Sequence, residues 1–316
     1  MKTRGTFLGE AVANDRLCDE HYRLKLRLEA FPPSRPGQFI QLLCGPGGKR
    51  EPYRLLEWAD GKLPKFTRPE LTEVRPLLRR PLSIAGRRDG RGGVELELIY
   101  RVVGTGTRWL STVKPGEELS VLGPLGNAFA VRQEKPAAAL VAGGVGIPPM
   151  IYLAEALAAA GKQAAALCGA RTACLLPLTV KARGKALPSG KPTPCVKEFA
   201  AYGVNAAVAT DDGSLGFKGL VSSAFEGWLE DAKGGDEGLV VYSCGPEAMM
   251  KAVGDACIAR GIECQLALER HMACGMGTCQ SCIVKVRDAG APQGRGWSYK
   301  LCCTDGPVFD AREIVW

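Results

Sequence analysis

Over its first third the chain alternates apolar and polar positions in short runs. His21–Glu29, Gln38–Cys44, Leu82–Ala85, Val94–Val103 and Glu118–Leu122 carry side chains of opposite character at successive positions, which turns one face of a strand inward and the other outward. Pro36-Gly37, Pro115-Gly116 and Gly123-Pro124 separate these runs. Such pairs bend the chain, because Pro fixes φ and Gly admits conformations closed to other residues. Short strands at this spacing predict an antiparallel sandwich or barrel. The pattern changes at Pro136: Ala137–Ala142 reads as a buried strand, Ile151–Ala160 as a helix and Gln163–Cys168 as a strand again. Asn205–Ala209, a helix over Val221–Leu229, the strand Leu239–Ser243 and a helix over Pro246–Arg260 continue the alternation. Strands alternating with helices predict an α/β unit whose parallel sheet is covered on both faces. The segment from Gln265 is short and rich in Cys and Gly. It cannot bury a large core alone, so a metal staple is expected. This pattern divides the chain into domains at 1–133, 134–264 and 265–316. Gly45 to about Leu78 and Leu176 to Pro194, rich in Pro, Gly, Lys and Arg, read as inserted surface loops.

Composition narrows the class. A chain of 316 residues is too long for one small core, and its 46% apolar and 23% charged residues belong to a globular protein rather than a disordered one. The net charge is +8, with much of the excess between Lys49 and Arg101. These cations are spread along strands and loops instead of being gathered on one helix, so phosphates of a small cofactor explain them better than nucleic acid does. The N-terminal stretch has no apolar core and is interrupted by Glu10 and Asp15, so no signal peptide is expected. The longest apolar run, Pro136 to Ala160, contains Gly143-Gly144, Pro148-Pro149 and Glu155 and is no membrane span. A cytoplasmic chain is therefore expected, and thirteen cysteines in that compartment point to metal rather than to disulfides.

The cysteines cluster. Cys274, Cys279 and Cys282 have C-x4-C-x2-C spacing, and the doublet Cys302-Cys303 follows at a distance. This is the spacing of a plant-type [2Fe–2S] site, in which four thiolates converge on two irons. Gly275 and Gly277 let main-chain N–H groups approach the sulfurs closely. Zinc sites favour paired C-x2-4-C knuckles, and only one short pair exists here. Neighbouring side chains on an extended segment point opposite ways, so one member of the doublet is expected to reach the cluster.

Two further groups of residues suit nucleotides. Arg79-Arg80-Pro81-Leu82-Ser83-Ile84 places cations beside a rigid Pro and a hydroxyl, suited to a pyrophosphate with a flavin lying along the strand. Ile99-Tyr100-Arg101 follows, with an aromatic face at Tyr100 and charge at Arg101, and then Gly106-Thr107 offers N–H and hydroxyl donors to phosphate. Gly143, Gly144 and Gly146 form a glycine turn between a strand and a helix, where a dinucleotide pyrophosphate would meet helix N–H groups. Cys244-Gly245-Pro246 closes the last clear strand, and the small Cys244 thiol could stand beside a nicotinamide as the catalytic residue. A merely buried Cys244 is the plainer alternative. His21 and His271 read as structural, and no Ser–His–Asp arrangement suggests hydrolysis.

Read in order, these motifs resemble the electron-transfer subunit of class 1B dihydroorotate dehydrogenase, within the ferredoxin–NADP reductase superfamily. The resemblance spans nearly the whole chain and rests also on Gly123-Pro-Leu-Gly-Asn127, Asp212-Gly-Ser-Leu-Gly-Phe-Lys-Gly219 and Cys303-Thr-Asp-Gly-Pro-Val-Phe309. It implies an N-terminal FAD-binding β-barrel, an NAD-binding α/β domain and a C-terminal [2Fe–2S] module. FAD would be held by Arg80–Ser83, Ile99–Arg101 and Gly106–Thr107, and the fourth cluster ligand would be Cys303, not Cys302. It implies a partner, an FMN-containing catalytic subunit that oxidises dihydroorotate, in a heterotetramer with two copies of each chain. Electrons would pass from FMN through the cluster and FAD to NAD⁺, in pyrimidine biosynthesis. A ferredoxin:NAD(P) reductase or a sulfide dehydrogenase-type subunit is the second reading, and a zinc-binding adaptor the third. No arginine pair follows Gln163–Cys168, although Arg171, Lys181 and Arg183 are near, so NAD is expected rather than NADP. The two insertions, the long gap before the last cysteine and the cysteine doublet depart from the family pattern.

Overall fold

In the N-terminal strands the inward positions are almost all aliphatic, and they close on one another as a barrel. The structure, a computed structural model, describes residues 4–45, 56–57, 65–66, 78–181, 185–231, 236–291 and 294–316. The first strands are β1 (Gly5–Cys18), β2 (His21–Leu28), β3 (Phe39–Leu42), the two-residue pair β4 (Leu56–Glu57) and β5 (Lys65–Phe66), β6 (Arg80–Gly90) and β7 (Gly93–Arg101). A short helix α1 (Thr105–Leu110) and the strand β8 (Glu118–Leu125) follow. Six of them form a closed antiparallel barrel in the order β1-β2-β7-β6-β3-β8. Leu24, Leu26, Leu96, Leu98, Ile40, Leu42 and Ile84 are fully buried in its interior. The long strand β1 was not legible in the hydrophobic pattern. Its pairing with β2 shifts register between Ala11 and Ala13 and again between Arg16 and Cys18, and each bulge breaks the two-residue period.

The second unit runs β9 (Ala137–Gly143), α2 (Ile147–Ala159), β10 (Gln163–Ala170), α3 (Lys197–Ala200), β11 (Asn205–Thr210), β12 (Phe217–Lys218), α4 (Val221–Asp231), β13 (Leu239–Cys244), α5 (Glu247–Ala259) and β14 (Glu263–Ala267). These strands pair in parallel in the order β12-β11-β10-β9-β13-β14. In β9, Ala139 and Val141 pack with Phe225 of α4 and Met250 of α5, whereas Leu140 and Ala142 pack with Met150 and Leu153 of α2. Both faces of the strand are therefore buried, which is why its sequence is apolar throughout. Because β10 lies on one side of β9 and β13 on the other, the chain reverses direction across the sheet at β9. The crevice at the carboxyl ends of β9 and β13 is the usual ligand position in such sheets. α2 begins at Ile147, four residues before the expected start, because Pro148 and Pro149 fall in its first turn, where a missing N–H costs nothing.

The cysteine-rich segment adds the hairpin β15 (Ile283–Arg287) and β16 (Trp297–Leu301), then β17 (Val308–Asp310). β17 pairs antiparallel with β14 and becomes the seventh strand of the nucleotide sheet. The segment is thus sewn into the α/β unit. Most of the first expected insertion, Gly45 to Leu78, lies outside the described residues. The second is not a simple surface loop. Leu176 and Ala186 are buried, and Thr193 exchanges two main-chain hydrogen bonds with Ala206 of β11. No helix among the described residues is long and apolar enough to cross a membrane.

Candidate functional site

Four cysteines stand in two pairs at the junction of the barrel and the sheet. The Cys274 sulfur accepts main-chain N–H groups from Met276 at 3.3 Å and Cys279 at 3.4 Å. Gly275 and Gly277 make this turn possible, with φ of +68° and +89°, a region costly for side-chain-bearing residues. Hydrogen bonds from Ser281 and from Cys274 pull the exposed Cys279 thiol down to about 6. The second pair is Cys282 and Cys303. Burial, and then the hydrogen bond between them, push Cys303 up to about 12, and the Gly277 N–H points at its sulfur. The doublet is resolved by orientation. Cys302 turns away, is fully buried, and donates its thiol to the Leu268 carbonyl at 3.2 Å. Among the described residues no three His, Cys, Asp or Glu side chains converge tightly enough for a single metal ion. Two thiol pairs with main-chain N–H groups aimed at their sulfurs fit a binuclear iron–sulfur cluster, whose sulfurs such donors stabilise.

The expected flavin residues are split by the barrel. Arg80, Pro81, Leu82 and Ser83 lie at the start of β6, paired with Leu42, Gln41, Ile40 and Phe39 of β3. The Arg80 guanidinium lies over Gly106, where a Cβ would come within 2.9 Å of Arg80 Nε. Two segments some 25 residues apart thus meet, leaving a cation beside a glycine backbone, a combination able to hold a pyrophosphate. Two details differ from expectation. Tyr100 offers no aromatic face: its ring points into the barrel, 1% exposed, stacks on Tyr22, and its hydroxyl donates to Asn14 at 3.0 Å. It stands in phase with Val94, Leu96 and Leu98, so the two-residue period carried that information. The Thr107 hydroxyl is likewise committed to its own turn, accepting the Val103 and Gly104 N–H groups. Main-chain contacts remain open to both residues. Ile99 faces outward and is buried among Ala142, Ile147 and Met150 of the α/β unit. Arg101 is held by Glu20 at 2.6 Å.

The residues expected to hold the nicotinamide dinucleotide converge at the crevice. A Cβ on Gly146 would overlap the Cys244 carbonyl and come within 2.6 Å of the Gly245 nitrogen. A Cβ on Gly143 would meet Met249 Sδ at 2.9 Å and Pro246 Cδ at 3.0 Å. Gly144 has φ of +54° and Gly245 +157°. The glycines therefore serve close backbone approach, and they bring the start of α2 against the end of β13. The Cys244 thiol is half-buried at this point, and burial pushes it up to about 12, so it stays neutral. His21 is buried, its Nδ1 2.9 Å from the Asp19 carbonyl, and burial lowers its pKa, in keeping with a structural role.

Two residues of the junction were given no role of their own by the sequence. Gln41 is fully buried on the outward face of β3, and a Cβ on Gly275 would meet its amide at 2.7–2.9 Å. Asn127 donates to the Asp305 and Val308 carbonyls and accepts the Val308 N–H, all within 2.9 Å. Both meet partners far along the chain, which local patterns do not report.

A barrel followed by a nucleotide sheet in this arrangement is the frame of ferredoxin reductase-type flavoproteins, here extended by a cysteine module. Residues 140–255 match the oxidoreductase NAD-binding domain, and residues 269–315 match the iron–sulfur cluster binding domain of dihydroorotate dehydrogenase B. The chain is 30% identical over 306 residues to the dihydroorotate dehydrogenase B (NAD⁺) electron transfer subunit of Caldanaerobacter subterraneus, covering 96% of each chain. It is 33% identical to the subunit of that name from Listeria monocytogenes, covering 96% of this chain and 97% of the relative. A solved NADH-dependent reduced ferredoxin–NADP oxidoreductase superposes with a TM-score of 0.71 at 26% identity, over 99% of this chain and 91% of that one. A cytochrome P450 reductase from Amycolatopsis shares the fold, with a TM-score of 0.56 at 21% identity over 81% of this chain and 66% of that one. The chain belongs to the family of dihydroorotate dehydrogenase B electron transfer subunits. It is an NAD-linked oxidoreductase subunit whose cofactors are FAD and a [2Fe–2S] cluster.

Proposed function

We propose that this chain carries electrons from the FMN of a dihydroorotate dehydrogenase catalytic subunit to NAD⁺, as the second component of a heterotetramer with two copies of each chain. Cys274, Cys279, Cys282 and Cys303 hold the cluster. Arg80, Pro81, Leu82 and Ser83, with the main chain of Ile99–Arg101 and Gly106–Thr107, hold FAD. Gly143, Gly144, Gly146, Gly245 and Pro246 hold the nicotinamide dinucleotide, and Cys244 stands beside its ring. The observation that carries this reading is the packing of Gly275, next to Cys274, on Gln41, whose main chain pairs with Pro81. The cysteine loop thereby lies against the strand that carries the flavin residues.

FAD, when bound, exchanges two electrons with a nicotinamide and single electrons with a cluster, which makes it the converter between the two. The chain's own groups do the rest. Arg80 supplies fixed charge to a pyrophosphate, and the main chain of the glycine turn at 143–146 serves a second one, because Pro148 and Pro149 leave the first turn of α2 short of N–H donors. The neutral Cys244 thiol fills the space beside the nicotinamide without adding charge. Met276, 49% exposed on the cysteine loop, presents an apolar contact to the catalytic subunit. The cytoplasm suits the exposed Cys174 thiol, which an oxidising compartment would cross-link.

The test is direct. Purified chain should show flavin and [2Fe–2S] absorption together, and should be reduced by dihydroorotate only when mixed with the FMN subunit. A colourless protein, or one indifferent to that subunit, refutes the reading. The 99% coverage by a reduced ferredoxin–NADP oxidoreductase favours a second reading, in which another electron carrier replaces the FMN subunit. Reduction by ferredoxin in place of dihydroorotate would select it.

A further inference from the structure

β3 alternates strictly. Ile40 and Leu42 fill the barrel interior, while Phe39 and Gln41 point outward. Phe39 packs in the core that contains Cys282 and Cys303. Gln41 is 0% exposed on this same outward face, under the cysteine loop. Its Nε2 and Oε1 have no hydrogen-bond partner among the described residues. A buried primary amide without partners is unusual, because desolvation is then uncompensated. Its surroundings say what would satisfy it. The amide atoms face Gly275, the residue after Cys274, where a Cβ would lie 2.8 Å from Nε2 and 2.9 Å from Oε1. A glycine there, held at φ of +68°, is what lets the amide approach the loop.

We propose that Gln41 tunes the iron–sulfur cluster, its Nε2–H donating a hydrogen bond to the cluster's sulfur edge at Cys274. The inference rests on the reading above that these cysteines hold a cluster, and it adds a residue from the barrel to the cluster's surroundings. A donor to a cluster sulfur stabilises the reduced, more negative state and raises the reduction potential. The Cys274 sulfur already receives the Met276 and Cys279 N–H groups from its own loop. Gln41 would be the donor arriving from the flavin side, so the cluster's potential and its contact with the flavin strand would be set by one side chain. The Gln41 main chain is fixed on that strand by its pairing with Pro81 and by Arg79, which donates to its carbonyl at 3.4 Å.

The experiment is redox titration of the whole purified chain, with cluster and flavin followed separately by electron paramagnetic resonance and absorption. Gln41→Met keeps length and bulk against Gly275 while removing the donor. It should retain flavin and iron in full and lower the cluster potential by about 59 mV, a tenfold change in the one-electron equilibrium. The flavin potential should move much less. Gln41→His, which keeps an N–H donor, should recover most of the loss. An unchanged cluster potential in Gln41→Met overturns the proposal, as do equal shifts in the Met and His variants. Loss of the cluster from Gln41→Met also overturns it, by making the residue a packing element. Absence of flavin and [2Fe–2S] bands from the unmodified chain would instead sink the underlying reading.

Discussion

Gly146→Ala probes the crevice where the sheet is expected to present NAD⁺ to the flavin. The new Cβ would overlap the Cys244 carbonyl and lie 2.6 Å from the Gly245 nitrogen, against 3.4 Å for ordinary contact. Both neighbours are main chain, so no side chain can swing aside. The turn and the end of β13 must separate by about 0.8 Å at the least restrictive of these contacts. A misplacement of about 1 Å in a reacting complex costs on the order of 100-fold in rate, or about 2.7 kcal/mol. We expect kcat/KM for NADH to fall by roughly that factor. Overpacking should also cost about 1–3 kcal/mol of stability. Flavin and iron content should not change, since the residues expected to hold them lie on β6, β7, α1 and the cysteine module. Anaerobic stopped-flow reduction of the flavin by NADH measures the rate. Gly161→Ala is the control: Gly161 has φ of +68° and open space around its Cβ position, so Ala there strains the backbone without touching the crevice. A Gly146→Ala protein with wild-type kcat/KM, or a Gly161→Ala protein slowed as much, would refute the assignment of the crevice.

Cys303→Ser should abolish or severely weaken the [2Fe–2S] spectrum while leaving FAD bound, and Cys302→Ser should leave the spectrum nearly intact, because its thiol serves only the Leu268 carbonyl. A bleached Cys302→Ser beside a normal Cys303→Ser would reverse the ligand choice. Asn127→Ala removes three hydrogen bonds between the barrel and the cysteine module and should lower unfolding free energy by about 3 kcal/mol at about 1 kcal/mol each; denaturant titration reads it, and a change below about 0.5 kcal/mol would show that the lock is idle. Arg171 is the one cation directly after β10, so kcat/KM should favour NADH over NADPH by roughly tenfold or more; an NADPH preference overturns that expectation. Arg183, one of the alternatives for a 2′-phosphate, lies outside the described residues.

The parts of the molecule that were legible in the sequence are those whose cause is local. The strands of the barrel follow a two-residue period, and those of the sheet are continuous apolar runs bounded by Gly and Pro. The cysteine spacing reflects how a short loop must wrap a cluster. What escaped is set by tertiary contact. Gln41 reads as an ordinary outward residue of a barrel strand and becomes buried only because the module covers it. Asn127 closes a motif that carried part of the resemblance, but its role stayed hidden because its partners lie beyond residue 300. Tyr100 is the reverse case. Its place in phase with Val94, Leu96 and Leu98 marked it as interior, while its neighbourhood with Arg101 and the glycine turn drew it toward the flavin reading. Periodicity was the better guide, because a barrel interior selects for phase irrespective of what lies next in the chain.

The same contacts explain how an electron path can be held without a dedicated linker. The cysteine module is fixed on one side by β17, which pairs with β14 of the nucleotide sheet. On the other side it is fixed by Asn127 and by Gly126, where a Cβ would come within 2.5 Å of Pro307 Cδ. Gly126 adopts φ of +74°, which lets the loop after β8 press against the turn following Cys303. Cys303, the expected fourth ligand, is thereby tied to the barrel through that turn, while β17, directly after it, belongs to the sheet. Relative motion of barrel and sheet would have to break the Asn127 bonds and open the core shared by Phe39, Cys282 and Cys303. Close packing makes such a junction adopt one arrangement instead of a continuum. The separation between the cysteine loop and the expected flavin strand is therefore set by packing at Gly275 and Gln41, and a change at Gln41, which leaves the turn at Gly275 intact, should alter electron transfer without altering how each cofactor is held.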